Sequence, residues 1–260
     1  MEMSIRYKIQ ELFDRRRPSK YELKKYLIKD GKKHPFALIC PGGAYWCVCS
    51  FVEGLPFMDE LRRRGYAVFI LYYHVQKEAR YPAPQEDVAR ALRDIFEHAE
   101  KYGVETEGYS IWGSSAGGHL VASFGTENMG YRKYNLPKPG ALVLTYPVIT
   151  MGEKTHEGRR NNMLGEHPTE EMIEFASVEK QITSAYPATF VWCGDADQSV
   201  PPENSHMLAE ALKEKGVPYE FVEYPGVDHG VGLGKGLVCE PWFERAVAFW
   251  EKQRIEQKEN

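Results

Sequence analysis

Residues 109–124 read YSIWGSSAGGHLVASF. An apolar β-type run, Tyr109–Trp112, leads into Gly113–Gly117, which matches the pattern G-x-S-x-G, and the apolar helical run Leu120–Phe124 follows. In this pattern the serine lies on a tight, strained turn between a strand and a helix, which needs small residues on both sides. The flanking strand and helix make the match far more specific than the pentapeptide alone. The stretch therefore predicts Ser115 as a nucleophile above an α/β sheet.

The other strand signals are apolar runs that end at turn residues. They are Phe36–Cys40, Tyr66–Tyr72, Ala141–Tyr146, Thr189–Cys193 and Tyr219–Glu223, with a less regular alternation at Tyr21–Leu27. Segments of helical spacing separate them, over 88–99, after Glu203 and from Pro241. Near-continuous apolar strands are typical of a parallel sheet covered on both faces. We expect one α/β domain over residues 1–260, with a doubly wound, mostly parallel sheet and an antiparallel edge near its start.

Composition and charge limit the function classes. The chain has 260 residues and a net charge of −4, and its basic runs at 15–17 and 62–64 are short, so no nucleic-acid partner is expected. The N-terminus lacks a signal-peptide pattern and no stretch reaches about 18 apolar residues, so no membrane association is expected. The odd number of cysteines favours a reducing cytoplasm. Cys47 and Cys49 lack further ligands nearby, which predicts packing or pocket lining and no metal.

One long segment breaks the alternation of strands and helices. Residues 150–184 are polar and contain no long apolar strand, although Glu170–Ala176 could form a short helix. A long excursion within a compact domain is usually a functional lid or a disordered segment. We interpret 150–184 as a cap over the active site.

A serine nucleophile needs a base and a group that orients the base. In α/β-hydrolases the acid and then the histidine follow the serine along the chain. Asp195 and Asp197 both follow a late strand. Asp197 is preferred because it stands three residues before Val200, and Asp195 is expected to cap its own turn. His229 alone of the eight histidines lies in the loop after the next strand.

The predicted catalytic triad is therefore Ser115, Asp197 and His229. Ser114 competes with Ser115 but occupies the variable position of the pattern. Asp228 is expected to be a solvated loop residue, and His119 to pack behind the turn. An oxyanion hole needs backbone N–H groups beside the nucleophile. We expect one from Ala116 and one from the glycine loop after the first long strand, at Gly43 or Ala44.

Five segments together resemble a known group of enzymes. They are Cys40–Tyr45, Gly113–Leu120, Tyr146–Thr150, Asp197–Ser205 and His229–Gly230. In this order they resemble the small α/β-hydrolase esterases related to hormone-sensitive lipase, specifically the acetyl-xylan-esterase-like branch. The resemblance spans about 20–250 and implies the α/β-hydrolase fold and the same triad. It also implies hydrolysis of short acyl esters, typically acetyl groups on plant-polysaccharide oligosaccharides or small molecules, without a cofactor.

The sequence departs from the lipase relatives in its oxyanion loop. Those enzymes usually carry His-Gly-Gly-Gly, whereas this chain has Pro41-Gly42-Gly43-Ala44. The methyl group of Ala44 would narrow the acyl pocket. Tyr45 and Trp46 could form an aromatic wall that binds a sugar ring, or could pack against the cap. The sequence leaves both alternatives open. It also leaves open whether the protein forms a homo-oligomer.

Four other functions compete with the sugar esterase. An arylformamidase or a general carboxylesterase would keep the same triad. A peptidase related to prolyl oligopeptidases would share the acid loop but usually carries a large gating domain, for which this chain has no room. A hydrolase fold retained as a small-molecule receptor commonly loses a triad residue, and all three are present here in order.

Overall fold

The computed structural model describes residues 10–11, 13–15, 17–155 and 157–259, without the side chains of 157–159 and 257–259. Three predictions rest partly on residues outside this part of the chain. They are the N-terminal segment without a signal pattern, the basic run at 15–17 and the extent of a single domain over 1–260. Within the described part, residues 10–11 and 13–15 are helical.

Among the described residues, seven strands form one sheet, in the order β1-β3-β2-β4-β5-β6-β7. Only β1, at one edge, is antiparallel to its neighbour, and all other pairs are parallel. The strands are β1 Glu22–Tyr26, β2 Phe36–Cys40, β3 Ala67–Tyr72, β4 Ser110–Ser114, β5 Ala141–Thr145, β6 Thr189–Gly194 and β7 Tyr219–Tyr224. The mostly parallel sheet with an antiparallel first strand is confirmed.

Besides the helical residues 10–11 and 13–15, nine α-helices connect and flank these strands in the described part of the chain. They are α1 Ser50–Glu53, α2 Leu55–Arg63, α3 Ala83–Glu97, α4 Ala99–Tyr102, α5 Ser115–Phe124, α6 Glu157–Leu164, α7 Glu170–Ala176, α8 Glu203–Glu214 and α9 Trp242–Glu259. Two short 3₁₀ turns lie at Gln76–Glu78 and Val178–Gln181. The predicted helices after Glu203 and from Pro241 are confirmed, and the helix predicted over 88–99 is present but begins at Ala83 and is interrupted at His98. No described helix combines the length and apolar character needed to cross a bilayer.

The strands β2 to β6 are buried along their whole length, as their apolar sequences require. Helix α9 packs aromatic rings against this layer, with Trp242 5.5 Å from Trp192 and 6.2 Å from Trp112 between ring centroids. Helix α9 thus packs against one face of the central strands β4 and β6. Strand β5 ends at Thr145, one residue earlier than predicted, because Tyr146 adopts a left-handed backbone with φ 38°. That turn directs the chain toward the cluster described next.

Candidate active site

The turn at Ser115 is a strained strand-to-helix elbow. Ser115 follows β4 directly, begins α5 and has φ 52°, which side-chain-bearing residues rarely adopt. Glycine at 117 is required because a Cβ there would lie 2.1 Å from the carbonyl oxygen of Cys40. Ser114 is buried in the strand, where its Oγ accepts a hydrogen bond from Thr145 Oγ1 at 2.7 Å. Of the two serines, it is therefore Ser115 that reaches the end of the sheet.

His229 lies between Ser115 and Asp197. Its Nε2 is 2.9 Å from Ser115 Oγ, and its Nδ1 is 2.6 Å from Asp197 Oδ2. An ionised carboxylate only accepts hydrogen bonds, so Nδ1 carries the proton and Nε2 accepts from the serine hydroxyl. The three residues form one continuous hydrogen-bond chain in which the imidazole can take the serine proton.

Two neighbouring aspartates fix the loop that carries the acid. Asp197 Oδ1 accepts hydrogen bonds from the N–H groups of Ser199 and Val200, both at 2.8 Å, which orients the carboxylate toward the histidine. Asp195 Oδ1 accepts from the N–H of Gly226 at 2.6 Å. The expectation that Asp195 caps its own turn is therefore wrong, because its side chain binds the loop after β7 and joins the acid and histidine loops.

Asp228, next to the histidine, is exposed as expected, but it is not merely solvated. Its Oδ1 accepts from the N–H groups of His229 at 2.7 Å and Gln198 at 3.3 Å. These backbone hydrogen bonds lower the pKa of Asp228, so the carboxylate stays ionised in neutral solution. Asp228 thereby fixes the backbone of the histidine loop.

The glycine loop after β2 borders the nucleophile. A Cβ at Gly42 would lie 2.9 Å from Ser115 Cβ, so the loop passes Ser115 without room for a side chain. Gly43 and Ala44 follow with φ values of 132° and 56°. Ala116 lies in the first turn of α5, where N–H groups lack intrahelical partners. The two segments predicted to supply oxyanion donors therefore both adjoin Ser115.

The predicted aromatic wall divides into a buried and an exposed residue. Tyr45 is 1% exposed, so it offers no face to a sugar, and that prediction is wrong. Its φ of 56° turns the ring inward, where its hydroxyl lies 3.0 Å from His119 Nδ1 and its ring contacts Tyr73. Trp46 is 60% exposed and keeps its ring available at the surface.

His119 is buried behind the elbow, as predicted. Its Nδ1 accepts from the Tyr45 hydroxyl, and its Nε2 donates to the carbonyl oxygen of Ala176 at 2.9 Å. Burial lowers the pKa of His119 to about 4, because desolvation penalises the charged ring. The neutral ring therefore joins helix α5 to the end of α7 in the segment predicted as a cap.

The segment 150–184 contains the predicted short helix at Glu170–Ala176, capped by Thr169, whose Oγ1 accepts from the N–H of Met172. Two contacts anchor the segment near the site. Asn162 Nδ2 donates to the carbonyl oxygen of Ala44 at 3.1 Å, and Asn204 Oδ1 accepts from the N–H of Thr150 at 3.2 Å. The segment therefore contacts the glycine loop after β2 directly through Asn162.

Two buried residues of the site, Glu53 and Tyr146, were not predicted. The Tyr146 hydroxyl donates to Glu53 Oε1 at 2.9 Å, and its ring lies 4.9 Å from that of His229. The available signals were a lone charged residue in the apolar run 51–55 and a tyrosine directly after a strand. Neither signal indicates a partner, because the contacts join distant parts of the chain.

One cluster outside the Ser–His–Asp chain contains metal-ligating atom types. Within the residues that the structure describes, Cys193, His206 and Glu223 bring one such atom each within 4.8 Å of the others. His206 Nε2 already lies 2.8 Å from Glu223 Oε1, a hydrogen-bond distance, and burial raises the pKa of the Cys193 thiol to about 12. The cluster is thus a half-exposed contact between a histidine and a carboxylate, beside a protonated thiol. All five cysteines are free thiols.

A nucleophile at the elbow after a central strand, followed by an acid after β6 and a histidine after β7, is the arrangement of the α/β-hydrolases. The mostly parallel sheet and the order of the three residues agree with it. The fold and the site thus define the chain as an α/β-hydrolase.

Comparison with known proteins narrows this class. The model of the BD-FAE family matches residues 26–212, and the chain belongs to this family. It is 34% identical over 226 residues to endo-1,4-beta-xylanase B of Butyrivibrio fibrisolvens, covering 84% of this chain and 35% of that protein. It is 30% identical over 226 residues to the acetylxylan esterase of Xylanibacter ruminicola, covering 85% of this chain and 46% of that protein. The chain thus spans between a third and a half of these curated relatives.

A solved structure extends the similarity to nearly the whole chain. The acetyl ester-xyloside bifunctional hydrolase of Caldicellulosiruptor lactoaceticus is 32% identical, with a TM-score of 0.81. The match covers 93% of this chain and 91% of that structure. The resemblance to acetyl-xylan-esterase-like hydrolases is confirmed.

A fluorophosphonate probe should label Ser115 and leave Ser114 unmodified, because only Ser115 is hydrogen-bonded to His229. Intact-mass and peptide mass spectrometry would locate the adduct. We expect Ser115→Ala to abolish labelling and Ser114→Ala, the matched control, to retain it. Labelling that persists in Ser115→Ala would contradict the assignment of the nucleophile.

The low pKa of His119 should appear as a pH-dependent part of stability. The unfolded chain binds this proton near pH 6.5 and the folded protein only near pH 4, so the stabilisation is complete above 6.5 and is lost as pH falls toward 4. Compared with His119→Gln, which cannot titrate, wild type should lose about 3 kcal/mol more of its free energy of unfolding between pH 7 and 4. Urea denaturation at a series of pH values would measure this, and parallel pH dependences of the two proteins would contradict it.

Proposed function

We propose that this protein is a serine esterase that hydrolyses short-chain acyl esters, above all acetyl groups on xylan-derived or other plant-polysaccharide oligosaccharides. The observation that carries the proposal is the hydrogen-bond chain from Asp197 through His229 to Ser115. The similarity to an acetylxylan esterase and to an acetyl ester-xyloside hydrolase supports the acetyl ester as substrate. The five free thiols agree with a cytoplasmic location, where imported acetylated oligosaccharides would be the substrate.

The proposed reaction begins when His229 Nε2 removes the hydroxyl proton of Ser115 and the oxygen attacks the ester carbonyl. Asp197 stabilises the imidazolium that forms, through its hydrogen bond to Nδ1. The tetrahedral intermediate then collapses: the carbonyl double bond re-forms and the bond between the acyl carbon and the sugar oxygen breaks. The sugar leaves as an alcohol after its oxygen takes the proton from His229. Water then attacks the acyl-enzyme by the same route, which releases acetate and restores Ser115.

In this reaction the carbonyl oxygen gains negative charge that needs fixed donors. We assign this role to the N–H of Ala116 and to that of Gly43 or Ala44. The amino end of α5 supports the same charge through its dipole. Asn162 holds the carbonyl of Ala44 from the segment 150–184, so this segment, as a cap, would fix the oxyanion loop when it is closed.

The substrate side of the proposal rests on surface residues near the same loop. Trp46 lies two residues after Ala44 and is exposed, so its ring can stack on a sugar ring of the substrate. Tyr45 has no such part, since it is buried against His119. A small acyl group fits the proposal because Ala44 replaces the third glycine of the His-Gly-Gly-Gly loop usual in the lipase relatives, and its methyl group would narrow the acyl pocket.

Release of acetate from acetylated xylo-oligosaccharides should be fast and should depend on Ser115. Wild type, Ser115→Ala and the control Ser114→Ala would be assayed beside p-nitrophenyl acetate and butyryl, feruloyl and formyl-amide substrates. We expect Ser115→Ala to lose several orders of magnitude on every substrate that wild type turns over. Hydrolysis of p-nitrophenyl acetate alone would discard the sugar substrate and make a general carboxylesterase the better assignment.

The two aspartates of the acid loop give a matched pair of variants. Asp197→Asn should lower kcat by about 10⁴-fold, because the amide no longer stabilises the imidazolium or the correct ring tautomer. Asp195→Asn keeps an oxygen that accepts from Gly226 and should stay within about 10-fold of wild type. Steady-state kinetics on p-nitrophenyl acetate would measure both. Equal losses in the two variants would refute Asp197 as the acid of the triad.

A further inference from the structure

The reaction set out above leaves one buried carboxylate of the site without a role. Glu53, the last residue of α1, is 4% exposed in an otherwise apolar segment. A buried carboxylate is costly unless hydrogen bonds satisfy it, so its presence beside the nucleophile calls for a physical reason. Gly42 lies against both this carboxylate and Ser115, since a Cβ there would come within 2.7 Å of Glu53 Oε2 and 2.9 Å of Ser115 Cβ.

One carboxylate oxygen of Glu53 holds the oxyanion loop. Oε2 accepts a hydrogen bond from the N–H of Gly42 at 2.7 Å. The carbonyl oxygen of Gly42 accepts in turn from the N–H of Cys49 at 2.8 Å, directly before α1. The peptide groups on both sides of Gly42 are therefore fixed by the same short helix, one residue before Gly43, a proposed oxyanion donor.

The other carboxylate oxygen reaches the histidine loop through Tyr146. Oε1 accepts from the Tyr146 hydroxyl at 2.9 Å, and that hydroxyl accepts from the N–H of Gly232 at 3.2 Å. The Tyr146 ring packs edge-on against that of His229, 4.9 Å between centroids. A Cβ at Gly232 would lie 2.8 Å from Val52 Cγ1, so the histidine loop also packs directly on α1. Glu53 is thus the point at which the two loops meet.

The charge of Glu53 acts on the same histidine. The pKa of Glu53 is raised from its usual value, chiefly by burial; the hydrogen bonds from Tyr146 and Gly42 and the attraction to a protonated His229 act in the opposite direction. Because both oxygens accept hydrogen bonds, these contacts satisfy the ionised form. The other groups that face His229 are Asp197 at Nδ1 and Asp228 at its backbone N–H. The attraction between Glu53 and an imidazolium is mutual, so Glu53 favours the protonated state that His229 reaches during the reaction.

We propose that Glu53 is a positioning residue for this reaction: through Gly42 and Tyr146 it holds the oxyanion and histidine loops in register with Ser115, and its negative charge favours the imidazolium of His229. The inference rests on the proposed function, because both effects act on charges that develop during acyl transfer. It adds a second carboxylate to the site, with a role distinct from that of Asp197.

The deciding variant is Glu53→Gln, which can accept from Gly42 and donate to Tyr146 but carries no charge. Asp87→Asn is the matched control, because Asp87 is also buried and accepts from a backbone N–H, that of His74 at 2.7 Å. Two readouts are compared across pH: the rate at which a fluorophosphonate labels Ser115, and kcat and KM for p-nitrophenyl acetate. Thermal unfolding by circular dichroism establishes that each variant folds.

We expect Glu53→Gln to lower the labelling rate and kcat by about 10-fold and to leave KM within about twofold, since the lost interaction acts on the transition state. The acid limb of its pH–rate profile should move about one unit lower, because removing a nearby negative charge lowers the pKa of an imidazole. Glu53→Ala, which also leaves the Gly42 N–H unpaired, should lose about 100-fold. Asp87→Asn should match wild type in rate and in acid limb.

Wild-type labelling and an unmoved acid limb in folded Glu53→Gln would overturn the positioning role while the proposed function stands. A uniform loss of rate at every pH, with the acid limb in place, would assign Glu53 to packing alone and also contradict it. If Ser115 of the wild type neither reacts with the probe nor hydrolyses any ester, the proposed function itself fails, and the role of Glu53 fails with it.

Discussion

The left-handed backbone of Ser115 is the constraint around which the site is organised. Such a conformation costs about 1–3 kcal/mol in a residue with a side chain, and it persists only when the surroundings impose it. Here the imposing feature is close packing of the elbow on the end of β2, where Gly117 admits no Cβ beside the carbonyl of Cys40. The same packing brings the glycine loop, which begins one residue after Cys40, against Ser115. The backbone strain at Ser115 is thus a consequence of the close packing between the ends of the adjacent strands β2 and β4.

Carboxylates fix the loops that this packing brings together. Backbone N–H groups beyond the strand ends have no sheet partner and must be satisfied in another way. Asp197, Asp195 and Glu53 accept from such groups at Val200, Gly226 and Gly42, at 2.6–2.8 Å. Each of these hydrogen bonds holds a different loop. Asp195 binds the histidine loop directly, at Gly226, and Glu53 reaches it through Tyr146. The position of the imidazole is therefore set by several loops together.

Much of this architecture could be predicted because its signals are local. Apolar runs and turn residues gave the strands, and the order of serine, acid and histidine followed from where those strands end. The sugar-binding role considered for Tyr45 was wrong because the backbone at Tyr45, with φ 56°, directs the ring inward. An aromatic residue after glycines carries no sequence signal for that backbone conformation. The contacts of Glu53 could not be predicted from the sequence because its partners, Gly42 and Tyr146, lie 11 and 93 residues away. Pairings of this kind depend on how the sheet is wound.

The distribution of charge also follows from the winding of the chain. During the proposed reaction a negative oxygen and a positive imidazolium form within a few ångströms of each other, and the protein must stabilise both without solvent. Parallel strands help, because their carboxyl ends, and the amino end of the helix after β4, meet at one edge of the sheet. The N–H groups at Ala116 and in the glycine loop lie next to the serine. Asp197 binds His229 directly, Glu53 binds the glycine loop and Tyr146, and both oxygens of each carboxylate accept hydrogen bonds. Hence an exchange of either carboxylate for a neutral group changes the balance between the two developing charges even where the backbone does not move.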